Sequence, residues 1–133
     1  MRILLFALYG NATFSLMTGL TLIGFSEHVA IWLGGVPQPL LIAIGIALLP
    51  FAGHLVLAAR RKPVRPAEIL YLTTLDFLWV LGSGIVLILG SFSMQGKVII
   101  GTVALLVAIW GTLQAIGRSQ YVGSLNIDTA GNF

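Results

Sequence analysis

The amino-acid sequence predicts an all-α integral membrane protein, a four-helix bundle threaded up-down-up-down with both of its ends on the cytoplasmic side. Three observations carry that expectation. Of the 133 residues, 58% are hydrophobic and only 8% are charged, whereas soluble domains are about a quarter charged. Four stretches with at most one charged side chain each reach the roughly 20 residues that cross a hydrocarbon core about 30 Å thick. Basic residues gather at one set of span ends, as they do in cytoplasmic loops.

A chain this short has room for one domain. In water such a domain has no interior large enough for so much apolar surface, whereas lipid accepts apolar side chains on the outward faces of helices. There is no cysteine, which excludes disulfides, thiolate metal ligands and thiol catalysis. Four acidic residues and two histidines leave few groups for acid, base or metal work. The net charge of +3 sits at the span ends and is not spread as a nucleic-acid surface would be.

The first span covers 3–25 and holds no charged side chain. A signal peptide is the rival reading, because Arg2 precedes the apolar run. Such an apolar region lasts about 7 to 15 residues before a cleavage site, and this stretch continues well past that length. Ser26, Glu27 and His28 interrupt it, with Ser26 placed to cap a short interfacial helix and Trp32 suited to the headgroup level. Gly34, Gly35, Pro37 and Pro39 end that segment.

The second span covers 40–59, and Pro50 in its interior removes a backbone hydrogen bond and predicts a kink. Arg60, Arg61, Lys62 and Arg65, punctuated by Pro63 and Pro66, then form a hydrophilic loop. The third span, 69–90, contains Asp76, whose cost at a helix centre is about 2.5 to 3.5 kcal/mol. Thirteen Leu, Ile, Val and Phe residues in the same span offset this by roughly 4 to 8 kcal/mol, so insertion remains favoured. Residues 91–97 form a turn and 98–117 the fourth span. The transmembrane domain is thus 1–118, and the polar, Gly-containing tail 119–133 is expected to be loosely ordered.

Arg2, Arg60, Arg61, Lys62, Arg65 and Arg118 fall on one side of the threading and Lys97 alone on the other, which places both termini in the cytoplasm. Short loops make consecutive helices antiparallel neighbours. Helices in lipid approach one another along small residues and pair through polar ones, and each span carries such a stripe. The first offers Asn11, Ser15 and Gly19, and the second Ala43, Ala47, Pro50 and His54. The third offers Asp76, Ser83 and Gly90 with Thr73 and Trp79 beside them, and the fourth Gly101, Ala104, Ala108, Gly111 and Ala115. These faces are expected to point inward.

Depth singles out the polar members. At 1.5 Å per residue, Asn11 and Asp76 lie roughly 10 to 14 Å from the cytoplasmic ends of their helices and His54 roughly 9 Å from Arg60; Gln114 and Thr112 are shallower. Asn11, His54, Asp76, Trp79 and Gln114 form the candidate binding cluster. Asp76 is expected to meet His54, Asn11 or both in a polar pocket open toward the cytoplasm, since an intramembrane carboxylate needs a partner. A hydrogen-bonded knot that sets helix register is the alternative, and the residues alone leave both open.

Other chemistries find little support. His28 at the outer rim and His54 in the inner half cannot both ligate one haem, and zinc requires three or four clustered ligands. Phosphate loops, nucleophile elbows and metalloprotease motifs are missing. The sequon at Asn11, Ala12 and Thr13 lies inside the first span, away from any surface acceptor site. The basic loop suits anionic lipid, although topology signalling accounts for it. No catalytic residue, metal or cofactor is named by the residues.

Asn11, Ser15 and Gly19 in the first span, with Asp76, Phe77, Leu78, Trp79, Val80 and Ser83 in the third, resemble small uncharacterised bacterial inner-membrane proteins of four helices and, more loosely, DoxX-like proteins. The resemblance covers the four spans and implies a fold and a location, not an activity. The leading expectation is therefore a non-enzymatic bundle that binds a small lipophilic or amphipathic ligand or serves as an accessory subunit of a membrane complex. A small oligomeric transporter with Asp76 as its titrating residue is the alternative. A membrane oxidoreductase comes third, with the missing cysteines against it. Expected partners are the bilayer, a second copy or a larger membrane complex, and no nucleic acid.

Overall fold

Long runs of Leu, Ile, Val and Ala broken only by Gly and Pro clusters leave helix as the structure that satisfies every backbone group locally. The computed structural model describes residues 1–132 and is all-helical, with no strand among those residues and five helices in order: α1 (Arg2–Gly24), α2 (Ser26–Leu33), α3 (Gln38–Arg60), α4 (Pro66–Leu89) and α5 (Met94–Ala130). Four of them, all but α2, are long and apolar enough to cross a membrane.

The helix ends follow local chemistry. α2 stops at Gly34, whose φ of 96° lies in the left-handed region that suits glycine. Prolines open α3 and α4 in their first turns, where a missing N–H costs nothing. Glu68 in the first turn of α4 and Arg60 in the last turn of α3 complement the helix dipoles. Ser93 caps α5 by accepting the Gly96 N–H at 2.9 Å. Its hydroxyl also donates to the Trp32 carbonyl at 2.8 Å, which ties α2 to the start of α5.

Two local expectations are corrected. Phe25, not Ser26, is the cap residue of α2; Ser26 is its first helical residue and accepts from Gln38 Nε2 at 2.8 Å. Helix α3 continues on both sides of Pro50. Of the tail 119–133, expected to be loosely ordered, residues 119–130 continue α5 as helix, and Phe133 lies outside the described residues. The α5 extension is anchored where Tyr121 packs on the core and Arg118 Nε donates to the Pro66 carbonyl at 2.9 Å.

Packing is uneven around the bundle. α1 lies extensively against α3 and also against α5, α5 packs on α4, and α3 and α4 scarcely touch. The α1 and α3 backbones come together at Gly19 and Gly45, where a Cβ on Gly45 would stand 2.7 Å from the Gly19 carbonyl oxygen. At the basic end, Leu4, Leu8, Leu55, Ala58, Ile69 and Leu72 form a closed core. A smaller cluster of Val29, Leu33 and Leu41, bordered by Phe92 and Ile99, occupies the opposite end. Every buried residue of α4 lies in its first half, Ile69, Leu72, Thr73 and Asp76, so its second half stands off from α3.

The small-residue seams are only partly as expected. On α1, Asn11, Ser15 and Gly19 are all buried. On α3 the buried face is Leu41, Gly45, Ala52, Leu55, Ala58 and Ala59, while Ala43, Ala47 and Pro50 are exposed and His54 is half-buried. On α4, Asp76 and Thr73 are buried, and Trp79, Ser83 and Gly90 are half-buried. On α5 the buried set is Gly96, Val107, Gly111, Gln114 and Gly117, with Gly101, Ala104 and Ala108 half-buried and Ala115 exposed. The reason is that α3 turns its close-approach face to α1 and touches α4 only near the basic end.

Gly45→Ala is expected to lower stability in detergent by about 1 to 3 kcal/mol, because rigid backbone fills the space its methyl needs. Gly84→Ala, whose new Cβ would meet nothing within 4 Å, is expected to be neutral or stabilising by up to about 1 kcal/mol through helix propensity. Thermal unfolding of the two variants beside the parent checks the contrast.

Candidate functional site

Asn11 and Ser15 are one turn apart on α1, Thr73 and Asp76 are three residues apart on α4, and Gln114 lies on the buried stripe of α5, so each pair or residue is delivered on a single helix face. The three helices bring these side chains into one network. Asn11 Nδ2 donates to Asp76 Oδ2 at 2.8 Å, and Gln114 Nε2 donates to the same oxygen at 2.8 Å. Ser15 Oγ donates to Asn11 Oδ1 at 3.3 Å, and Thr73 Oγ1 donates to Gln114 Oε1 at 3.4 Å. Each hydroxyl thus holds the carbonyl of one amide, which aims the NH₂ of that amide at the carboxylate. All five side chains are buried, Gln114 completely and Asp76 to all but 3%.

The two Asp76 oxygens differ. Oδ2 takes both donors, while Oδ1 has no protein partner among the described residues. The one wholly buried side-chain oxygen or nitrogen left without a hydrogen bond there is Glu68 Oε2. Oδ1 is therefore not wholly buried, and Asp76 lines a cavity of about 330 Å³ together with Ser15, Phe51, Trp79 and Val107. That cavity shares Thr18, Ile44, Trp79 and Val103 with a neighbour of about 420 Å³, walled by Leu22, Leu41, Leu78, Val86 and Phe92. The two adjoin as a mainly apolar cleft that runs from the α2 end toward Asp76.

The expected cluster is corrected at His54. Its Nε2 lies 2.8 Å from Glu68 Oε1, and Arg61 Nε stands 2.9 Å from Glu68 Oε2 while directing its hydrogen to Oε1 at 3.3 Å. Asp76 is eight residues beyond Glu68 on α4, about 12 Å along the axis at 1.5 Å per residue. Histidine and carboxylate therefore belong to separate sites. Trp79 makes no bond to Asp76 and forms a wall common to both cavities. The cavity lies on the side of Asp76 away from the Leu4, Leu55 and Ile69 core.

Glu68 was not singled out by sequence reasoning. Its signals were an acidic residue in the first helical turn, just past Pro66, and a short loop that returns the chain beside the end of α3. Ser15 and Thr73 were read as seam residues, although their hydroxyls orient the two amides. No three His, Asp or Glu side chains converge among the described residues, so the chemistry at Asp76 is that of one carboxylate with two neutral donors. No family model, curated protein or solved structure matches the chain.

Gln114→Ala and Asn11→Ala are each expected to lower stability by about 1 to 2 kcal/mol, since each leaves a buried acceptor short of a donor. Because both donors serve one oxygen, the double variant should be non-additive in a double-mutant cycle. His54→Ala, at a pair whose histidine is 39% exposed, should cost less than either. Denaturation of the four variants in one detergent checks the ranking.

Proposed function

We propose that this chain is a multi-pass inner-membrane protein that binds a small lipophilic or amphipathic ligand in the cleft beside Asp76, alone or as an accessory subunit of a larger membrane complex. Its solvent is lipid in this reading. Four long helices carry apolar residues on every side, and large hydrophobics such as Ile88 and Leu89 are 83% and 79% exposed. The accessible surface of 8098 Å² for 14.2 kDa exceeds the roughly 6,800 Å² of a soluble monomer of that mass, and exposed apolar patches of this extent mark membrane or protein contact.

Contacts support an up-down-up-down path. Leu4 lies against Gly117 and Gly10 against Trp110, so α1 and α5 run in opposite directions. Gly19 with Gly45 and Leu8 with Leu55 imply the same for α1 and α3, as do Thr73 with Gln114 and Pro66 with Arg118 for α4 and α5. This path gathers six of the seven basic residues at one end, the cytoplasmic end by the positive-inside rule.

The observation that carries the ligand reading is the cleft itself. It has the volume of a small-molecule site, is mainly apolar and ends at one convergent polar group. A second reading, a small oligomeric carrier with Asp76 as its titrating residue, is favoured by one feature: the cleft reaches Asp76 from one side while the closed core seals the other. Alternating access would require that core to open.

Gly82 lines the larger cavity and a Cβ there meets nothing within 4 Å, so Gly82→Leu adds bulk at the cleft wall from an unhindered position. Native mass spectrometry after mild detergent extraction should show a small lipophilic adduct on the parent and not on Gly82→Leu, at equal melting temperature. An adduct-free parent, or equal adducts on both, refutes the cleft as a ligand site. Single cysteines replacing Lys62 and Lys97 in this cysteine-free chain should label from opposite faces of the membrane, Lys62→Cys from the cytoplasm. Labelling of both from one face would overturn the threading.

A further inference from the structure

Asp76 is a carboxylate that meets only neutral amide donors, and both ion pairs among the described residues belong to Glu68 at the basic end. Among the described residues, no Lys, Arg or His side chain pairs with Asp76. A buried carboxylate in apolar surroundings is stable when a cation or further donors meet it, and intramembrane acids characteristically pair with one another or with a substrate. Oδ1 has no partner among the described residues, and the side chain that carries it lines the smaller cavity.

From these observations we propose that the ligand is a lipophilic amine, its ammonium paired with Asp76 Oδ1 and its hydrocarbon chain lying along the cleft toward Phe92. The assignment rests on the reading of the cleft as a ligand site. An anionic head group is repelled by the carboxylate and finds no basic side chain there. An alcohol donates one hydrogen bond and leaves the charge unmatched. An ammonium supplies both the donor and the countercharge, and charge-assisted bonds are the stronger class. Trp79, a wall of both cavities, adds an aromatic face of the kind that attracts cations. The hydrocarbon portion meets Leu22, Leu41, Leu78 and Val86. Entry is lateral, between α3 and α4, the pair of helices that scarcely touch.

The test uses the full chain in phosphatidylcholine nanodiscs with radiolabelled dodecylamine as the probe, competed by unlabelled dodecylamine, dodecanol and dodecanoate. Dodecylamine should compete about tenfold or more better than dodecanol, the factor expected of a charge-assisted bond, and dodecanoate should compete least. Asp76→Asn keeps an amide oxygen for the Asn11 and Gln114 donors, and it should weaken dodecylamine binding about tenfold or more while leaving dodecanol unchanged. Equal binding of amine and alcohol to the parent, with both lost in Gly82→Leu, overturns the amine assignment and leaves the cleft reading standing. Binding of none of the probes above that of empty nanodiscs, or binding untouched by Gly82→Leu, overturns both. Should Asp76→Asn fail to fold, the preference of the parent between amine and alcohol decides the matter on its own.

Discussion

A carboxylate enclosed by hydrocarbon side chains has to be met by donors, and in this bundle two of the other helices must reach α4 at one point to do so. Asn11 from α1 and Gln114 from α5 both end on Asp76 Oδ2. A one-residue slip of either helix would swing its amide about 100° around the axis and break the bond. The hydroxyls of Ser15 and Thr73 hold the amides in the orientation that donates. Three helices thereby share one register, set in a region of low dielectric where a lost partner is costly.

The rest of the packing follows from where that node sits. Between it and the basic end, the Leu4, Leu8, Leu55 and Ile69 core fills the bundle. On its other side α4 buries nothing, and α3 is held by α1 through the Gly19 and Gly45 approach. The two helices diverge, and the cleft lies between them. Near the basic end Glu68 bridges them through His54 and Arg61. A tightly packed floor under loosely packed walls is a division of stability that binding sites often use, since the moving parts of a protein come from its less stable regions.

The same node links stability to the proposed chemistry. One carboxylate oxygen is committed to the fold, and the other, without a partner among the described residues, is the one the proposal assigns to the ligand. The structural and ligand-binding readings of Asp76 therefore do not compete, since each uses a different atom. The apolar exterior serves a different purpose in the proposed setting, where lipid covers it and small residues such as Gly45 allow helices to pack closely in the absence of a hydrophobic drive between them.

Several features were legible in the residues alone. Four apolar runs bounded by Pro, Gly and Arg clusters announced four long helices, because helix length and end chemistry are local properties of the chain. The polar stripe of Asn11 and Ser15, and the isolation of Asp76 in a greasy span, marked the site, because burial of a charged group is costly wherever it occurs. Tertiary structure alone decided which partners Asp76 would find. Gln114 and Asn11 reach it while His54 turns to Glu68, and that choice depends on the rotation of each helix about its axis, which spacing within one helix does not encode. It likewise decided that Ala43 and Ala47 are exposed and that the cavity lies on the side of Asp76 away from the basic end. Both depend on which pairs of helices touch, a relation among distant segments that no single stretch of sequence contains.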